Sequence, residues 1–350
     1  MKSLLACLAL MIAGIATALF IGFHDHTGSE EIVYDDDQEG LQDQIVFTFS
    51  HVVAENTPKG LAANKFAELV NEKSGGKIKI EVFPNGSLYS DIEEIEALQN
   101  GDVQFIAPST SKLGMLSSEW GVLDLPYAFT NYDAVKKGLN GSIGTQLFDS
   151  LKKNQLKGLA YWTNGFKQIT TNQGPVRDPD DLKGQDLRIM QSDVIEDQFK
   201  LLGATPHQES FNSTFQLLEN NIVDGEENTI SNIYSKKFYN VQDYLTISSH
   251  GYLGYAVMTE EHFWNAQTSE TRRILTEAMK ETTEWNETYA EEMNKEQLEE
   301  IKKNSSIKIY ELSDKEKKEW MKRLDPVYRQ YEPIFGRKLI RELLELREDS

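Results

Sequence analysis

Between residues 45 and 107 the chain alternates short apolar runs with amphipathic stretches, each closed by its own stop signal. No other feature limits the possible folds as strongly. Ile45-Val46-Phe47-Thr48-Phe49 reads as a strand, rich in β-branched and aromatic residues. Thr57 is placed to cap a helix that has Pro58 at its first position and Gly75 just past its end, with Leu61, Phe66, Leu69 and Val70 as its apolar stripe. Residues 78–83 read as a second strand, stopped by Pro84-Asn85-Gly86. Ser90 with Glu93 matches a capping box for a helix over 91–99 that Gly101 ends, and residues 103–107 read as a third strand. This β-α-β-α-β order predicts a parallel sheet with right-handed crossovers. Open sheets of that kind bind ligands beyond the carboxyl ends of their strands, where this chain has Ser50-His51 and Ser109-Thr110.

A second α/β unit follows. Residues 157–162 read as a strand, and 163–167 as a loop at its end that carries Lys167. A strand over 187–190 leads to helices over about 192–202 and 213–220. From 260 to 303 the sequence is proline-free and dense in Glu and Lys at i,i+4 spacing, which predicts a long helix placed to bridge two lobes. Asn304-Ser305-Ser306 breaks it, and a short strand over 307–310 and two terminal helices complete the chain. A length of 350 residues exceeds one ordinary core and suits two domains.

The formal charge of −20 argues against a nucleic-acid partner, which needs a basic face. It also means that any anion site must be local and preformed. Lys2 precedes an almost unbroken apolar run over residues 4–23. With Ala16-Thr17-Ala18 as a cleavage site this is a secretory signal, and uncleaved it is long enough to anchor in a bilayer. Leu4-Leu5-Ala6-Cys7 looks like a lipobox, but its cysteine precedes the apolar region. All three readings place the remainder outside the cytoplasm. The acidic stretch 24–44 reads as a flexible tether, with His24 and His26 as solvated linker residues. Cys7 is the only cysteine, so the exported part has no disulfide and no thiol chemistry. The chain carries no nucleophile elbow, phosphate loop, zinc motif or dinucleotide fingerprint, and no cofactor is expected. Carboxylate pairs such as Glu93-Glu94 and Glu226-Glu227 are expected by chance in so acidic a chain.

Arg188 interrupts an apolar strand, where a permanent charge is costly unless paired. Its fork suits a ligand carboxylate, or equally a structural pairing with a nearby acid. Taken singly, Lys167 reads as a surface lysine, Asn228 as a turn residue, Phe211 as core and His51 as a satisfied, half-buried histidine.

Six stretches in order resemble the extracytoplasmic solute-binding proteins of TRAP transporters, the DctP type: FSHVVAENTPKGLAANKFAELVNEKSGGKIKIEVFPNGSL, LDLPYAF, YWTNGFKQITTN, DLKGQDLRIMQS, LGATP and LLENNIVDGEEN. The resemblance implies a periplasmic-binding-protein-like fold of two α/β lobes crossed by a long helix. Lobe I would comprise 45–165 with 254–293, and lobe II 166–253 with 294–350. The lobes would close over an organic acid. The resemblance implies that Arg188 holds its carboxylate and that Lys167 is a second basic position, in a G-F-K setting like that of dicarboxylate binders. Asn228 would support Arg188, Phe211 and Trp162 would exclude water, and His51 and Ser109 would face the cleft from lobe I. The expected ligand is a C4-dicarboxylate (succinate, fumarate or malate), bound by a monomer without catalysis. The expected partner is either the permease subunits of a TRAP transporter or a membrane sensor kinase.

Overall fold

The computed structural model describes residues 44–348, so the segments read as signal or anchor and as tether lie outside the described residues, apart from Gln44. The elements in chain order are β1 (Ile45–Ser50), α1 (Pro58–Lys73), β2 (Ile78–Phe83), α2 (Glu94–Asn100), β3 (Phe105–Ile106), α3 (Tyr132–Leu139), α4 (Ser142–Leu151) and β4 (Leu156–Thr171). There follow β5 (Asp186–Ile189), α5 (Asp193–Leu201), β6 (Thr205–Gln208), α6 (Thr214–Glu219), β7 (Gly225–Thr229), α7 (Ile230–Ser235) and β8 (Tyr244–Glu260). The last elements are α8 (Glu261–Ala266), α9 (Ser269–Asn304), β9 (Lys308–Glu311), α10 (Asp314–Phe335) and α11 (Arg337–Glu348).

The predicted start signals act where expected. Thr57 accepts from the Gly60 backbone N–H, with Pro58 opening α1. Ser90 and Glu93 bond each other, but the regular helix begins only at Glu94, a turn later than the sequence suggests, and Gly101 ends it at φ 81°. In β1–β3 the strands are parallel, and the same holds for β5 with β6 and β7. This gives two α/β lobes.

One sheet of order β2-β1-β3-β8-β4-β7-β5-β6 runs through both lobes, with β9 added to β8. The continuity comes from β4 and β8, antiparallel strands of 16 and 17 residues that pair along most of their length. The predicted loop over 163–167 is therefore corrected: it is the middle of a strand. The β-propensity of Trp162, Thr163, Phe166, Ile169 and Thr170 outweighs the single Asn-Gly pair. That pair instead makes a bulge, with register shifts between Thr163 and Gly165 opposite Gly254 and Leu253. Gly165 has φ +147°, a region that suits glycine, and a Cβ there would meet the side chain of Asn294 at about 3.0 Å.

Successive residues of the shared strands point to opposite faces. Trp162 joins Phe49, Phe66 and Leu275 in a core on one face, and Tyr161 joins Trp120, Leu147 and Leu324 in a core on the other. The predicted long helix is α9, 36 residues and thus about 54 Å long. It packs against α1 in one lobe, α7 in the other, and β4 between them. Of the terminal helices, α10 packs on α5, whereas α11 packs on α3 and α4, with Ser142 donating to Glu342 at 2.7 Å. No helix among the described residues is long and apolar enough to cross a membrane.

Candidate functional site

The strand ends of both lobes converge on one cavity. Val52 and Val53 follow β1, Ser109 follows β3, Met190 follows β5, and Asn228 stands near the end of β7. This is where parallel sheets place ligands, because strand ends and helix starts leave backbone and short polar groups unpaired there. A wider groove along α4, β4 and α9, lined by Phe148, Trp264 and Met279, lies away from these ends.

Of the residues singled out by sequence, Arg188, Asn228, Phe211 and Ser109 line the cavity together. Arg188 is buried; its Nε and Nη2 donate to the Glu209 carbonyl at 3.0 and 2.7 Å, while Nη1 has no hydrogen-bond partner. Burial pushes against its charge, and Glu226 and Glu227 offset that. Asn228 donates to Glu226 Oε2 at 3.1 Å and accepts from Asn232 at 2.7 Å. The Ser109 hydroxyl is buried without a partner, and Phe211 meets Phe238 edge-on.

Lys167, His51 and Trp162 do not line it. Lys167 is buried within β4, its ammonium paired with Glu227 Oε2 at 2.9 Å, and Glu227 Oε1 accepts from the Met190 N–H. Its charge thus stands one layer behind the cavity. The His51 ring is fully buried and has no hydrogen-bond partner at either nitrogen. Burial, then the charge of Lys59, pushes its pKa down to about 3, so it is neutral. Trp162 fills the core beside Phe49 and donates to Thr283 on α9 at 3.2 Å.

Sequence reasoning missed the other charges that line the cavity. Lys59, in the first turn of α1, donates to the Ala107 carbonyl at 2.8 Å and lies 3.9 Å over the Tyr255 ring. Lys112 pairs with the Asp91 carboxylate and donates to the Asp91 carbonyl at 3.0 Å. Glu94 opens α2, fully buried, with no hydrogen-bond partner at either oxygen. Burial drives the Lys59 ammonium down and the Glu94 carboxyl up, each partly offset by the other's charge. The carboxylate pairs dismissed as chance thus include three buried acids, Glu94, Glu226 and Glu227. Lys112 and Glu94 lie in the segments that follow predicted strands, at the ligand edge of such a sheet, and that position was their one sequence signal.

The cavity is accordingly lined by a guanidinium from β5 and by two ammonium groups from α1 and the segment after β3, with two acids, amides and a hydroxyl. Residues 49–333 match the model of DctP, bacterial extracellular solute-binding protein, family 7. The chain belongs to this family. It is 94% identical over all 350 residues, covering both chains fully, to the C4-dicarboxylate-binding protein DctB of Bacillus subtilis strain 168. Among solved DctP-like structures, a TRAP periplasmic solute-binding protein from Shewanella oneidensis with bound succinate is 38% identical. It has a TM-score of 0.85, over 87% of this chain and 99% of that one. Another, from Pseudomonas aeruginosa PAO1 with bound L-malate, is 37% identical with a TM-score of 0.80, over 82% and 100%. As a DctP-family member the chain is a solute-binding protein with the family's two-lobed fold.

Proposed function

We propose that this chain is an extracytoplasmic receptor that closes its two lobes over a C4-dicarboxylate and passes it to the membrane subunits of a TRAP-type transporter. One observation carries the reading: the cavity is lined by Arg188 from β5 together with Lys59 from α1 and Lys112 from the segment after β3. A linear dianion spans two cationic poles, whereas a monocarboxylate leaves one pole unmatched. Arg188 Nη1 is free to take one ligand carboxylate, with Asn228 beside it. Lys59, Lys112 and Ser109 are placed for the other, and Phe211 closes the apolar side. The succinate, malate and dicarboxylate ligands of the relatives support the same class. Binding involves no covalent chemistry.

The lobes are taken as 45–165 with 254–293, and 166–253 with 294–350, meeting at the β4–β8 bulge; α11 reaches back onto lobe I. Closure is stabilised by the ligand's preference for the closed state. Export rests on the apolar run over residues 4–23, as a signal or an anchor.

Titration calorimetry with succinate, malate, fumarate, neutral sugars and amino acids tests the reading. Dicarboxylates are expected to bind and sugars to give no heat. Arg188→Ala is expected to weaken binding at least about a hundredfold, about 2.7 kcal/mol. Binding of a sugar or an amino acid with no dicarboxylate response overturns it.

A further inference from the structure

The dicarboxylate reading leaves one lining residue with the wrong charge. Glu94 is fully buried, faces the cavity, and has no hydrogen-bond partner at either oxygen. A buried carboxylate without partners is among the least tolerable groups in a protein. The groups around it come from every neighbouring element. Lys59 of α1 donates to the Ala107 carbonyl and lies over the Tyr255 ring, Lys112 pairs with Asp91, and neither bonds Glu94. Asp91, on the turn before α2, is a second anion, and Tyr255 of β8 is neutral, its pKa raised by burial. Arg188 of β5 is tied to the Glu209 carbonyl through Nε and Nη2. Behind these, His51 is neutral, and Glu226 is bonded by Thr170 and Asn228 without lining the cavity.

Charge counting gives the consequence. Three lining cations (Lys59, Lys112, Arg188) face two acids, Asp91 and Glu94. With Glu94 ionised the cavity is singly positive; with Glu94 protonated it is doubly positive and matches a dianion. A neutral carboxyl also supplies an O–H donor where a ligand oxygen needs one, whereas a carboxylate there would face another carboxylate.

We propose that Glu94 is the proton-carrying ligand residue of this cavity: it is neutral in the closed complex, donates a hydrogen bond to the bound dicarboxylate, and makes binding take up a proton from solution. The inference rests on the dicarboxylate reading. Burial already holds this carboxyl up at about 7, and an adjacent dianion pushes it further in the same direction. Proton uptake is therefore large where the free receptor is ionised, above about pH 7, and vanishes in mild acid. Affinity falls with rising pH, approaching tenfold per pH unit.

The test is calorimetric titration with fumarate, which is almost wholly a dianion at both pH values, in paired buffers of different ionisation heat: phosphate and Tris at about pH 8, MES and Bis-Tris at about pH 5.5. The wild type is expected to take up close to one proton per fumarate at the higher pH and close to none at the lower. Glu94→Gln, which keeps shape and a donor, is expected to bind fumarate with buffer-independent heat and a flat pH profile. The wild-type count tests the linkage without any variant. Buffer-independent heat in the wild type overturns the proposal, and so does uptake that persists in Glu94→Gln, which would place the proton on Lys59 or Glu226. Absence of binding of fumarate and of succinate at every pH would instead overturn the dicarboxylate reading.

Discussion

Lys167 and Arg188 are both buried cations in strands, yet their surroundings give them different work. Lys167 meets Glu227 directly, and no part of it reaches the cavity. Removing one partner of a buried pair costs about 3–5 kcal/mol, mostly through the charge left behind. Lys167→Met is therefore expected to lower the stability of the ligand-free protein by about 3 kcal/mol in denaturant unfolding. Adding Glu227→Gln should restore most of it and leave succinate affinity within about tenfold of wild type. A double variant that is stable but binds more than about a hundredfold more weakly would bring Lys167 back into direct contact with the ligand. Arg188 was legible in sequence because a guanidinium between Leu187 and Ile189 demands a partner. Lys59 was not: in the first turn of an exposed-looking helix it resembles any surface lysine, and only the packing of α1 over the end of β3 turns it inward.

At the level of elements, the bulge in β4 has a specific helper. A bulge takes backbone groups out of the ladder, and buried ones need other partners. Two asparagines of α9 supply them. Asn286 accepts from the Thr163 N–H at 2.6 Å and donates to the Thr163 carbonyl at 3.2 Å. Asn294 donates to the Asn164 carbonyl at 2.6 Å and accepts from the Ser231 N–H at 3.0 Å, tying α7 to the same point. The long helix thus grips β4 at its bulge. Asn286→Ala leaves the buried Thr163 N–H unpaired and is expected to lower stability by about 1–3 kcal/mol, read from urea unfolding. An unchanged midpoint would show that the bulge needs no such support. The length of α9 could be read from its charge pattern, whereas the two asparagines look in sequence like ordinary polar positions on a solvated helix.

For the molecule as a whole, the buried titratable groups set how stability varies with pH. His51 and His250 are both held down to about 3, chiefly by burial, so the unfolded chain binds more protons than the native one between about pH 6.5 and about pH 3. Their contribution is lost as pH falls through that window. Glu226 is held up to about 8, again chiefly by burial, and Glu94 shifts the same way. For these acids the native state binds more protons, so their contribution is lost as pH rises from about 4.5 towards about 8. The −20 charge adds self-repulsion in the same direction. The ligand-free protein is expected to melt highest in mild acid, between about pH 4.5 and about pH 6.5, and lower on either side. A melting temperature that climbs steadily to about pH 8 would show that these acids are ionised in the native state. Alternating runs, caps and glycine stops sufficed to read the β-α-β lobes, the long helix and Arg188, because those signals act over a few residues and mean the same thing wherever they occur. Tertiary structure decided the rest: that 163–167 continues a strand shared by both lobes, that Lys167 pairs with Glu227, and that Lys59, Lys112 and Glu94 complete the cavity. Burial and charge pairing depend on which distant segments meet, and one residue's neighbours in sequence do not specify that.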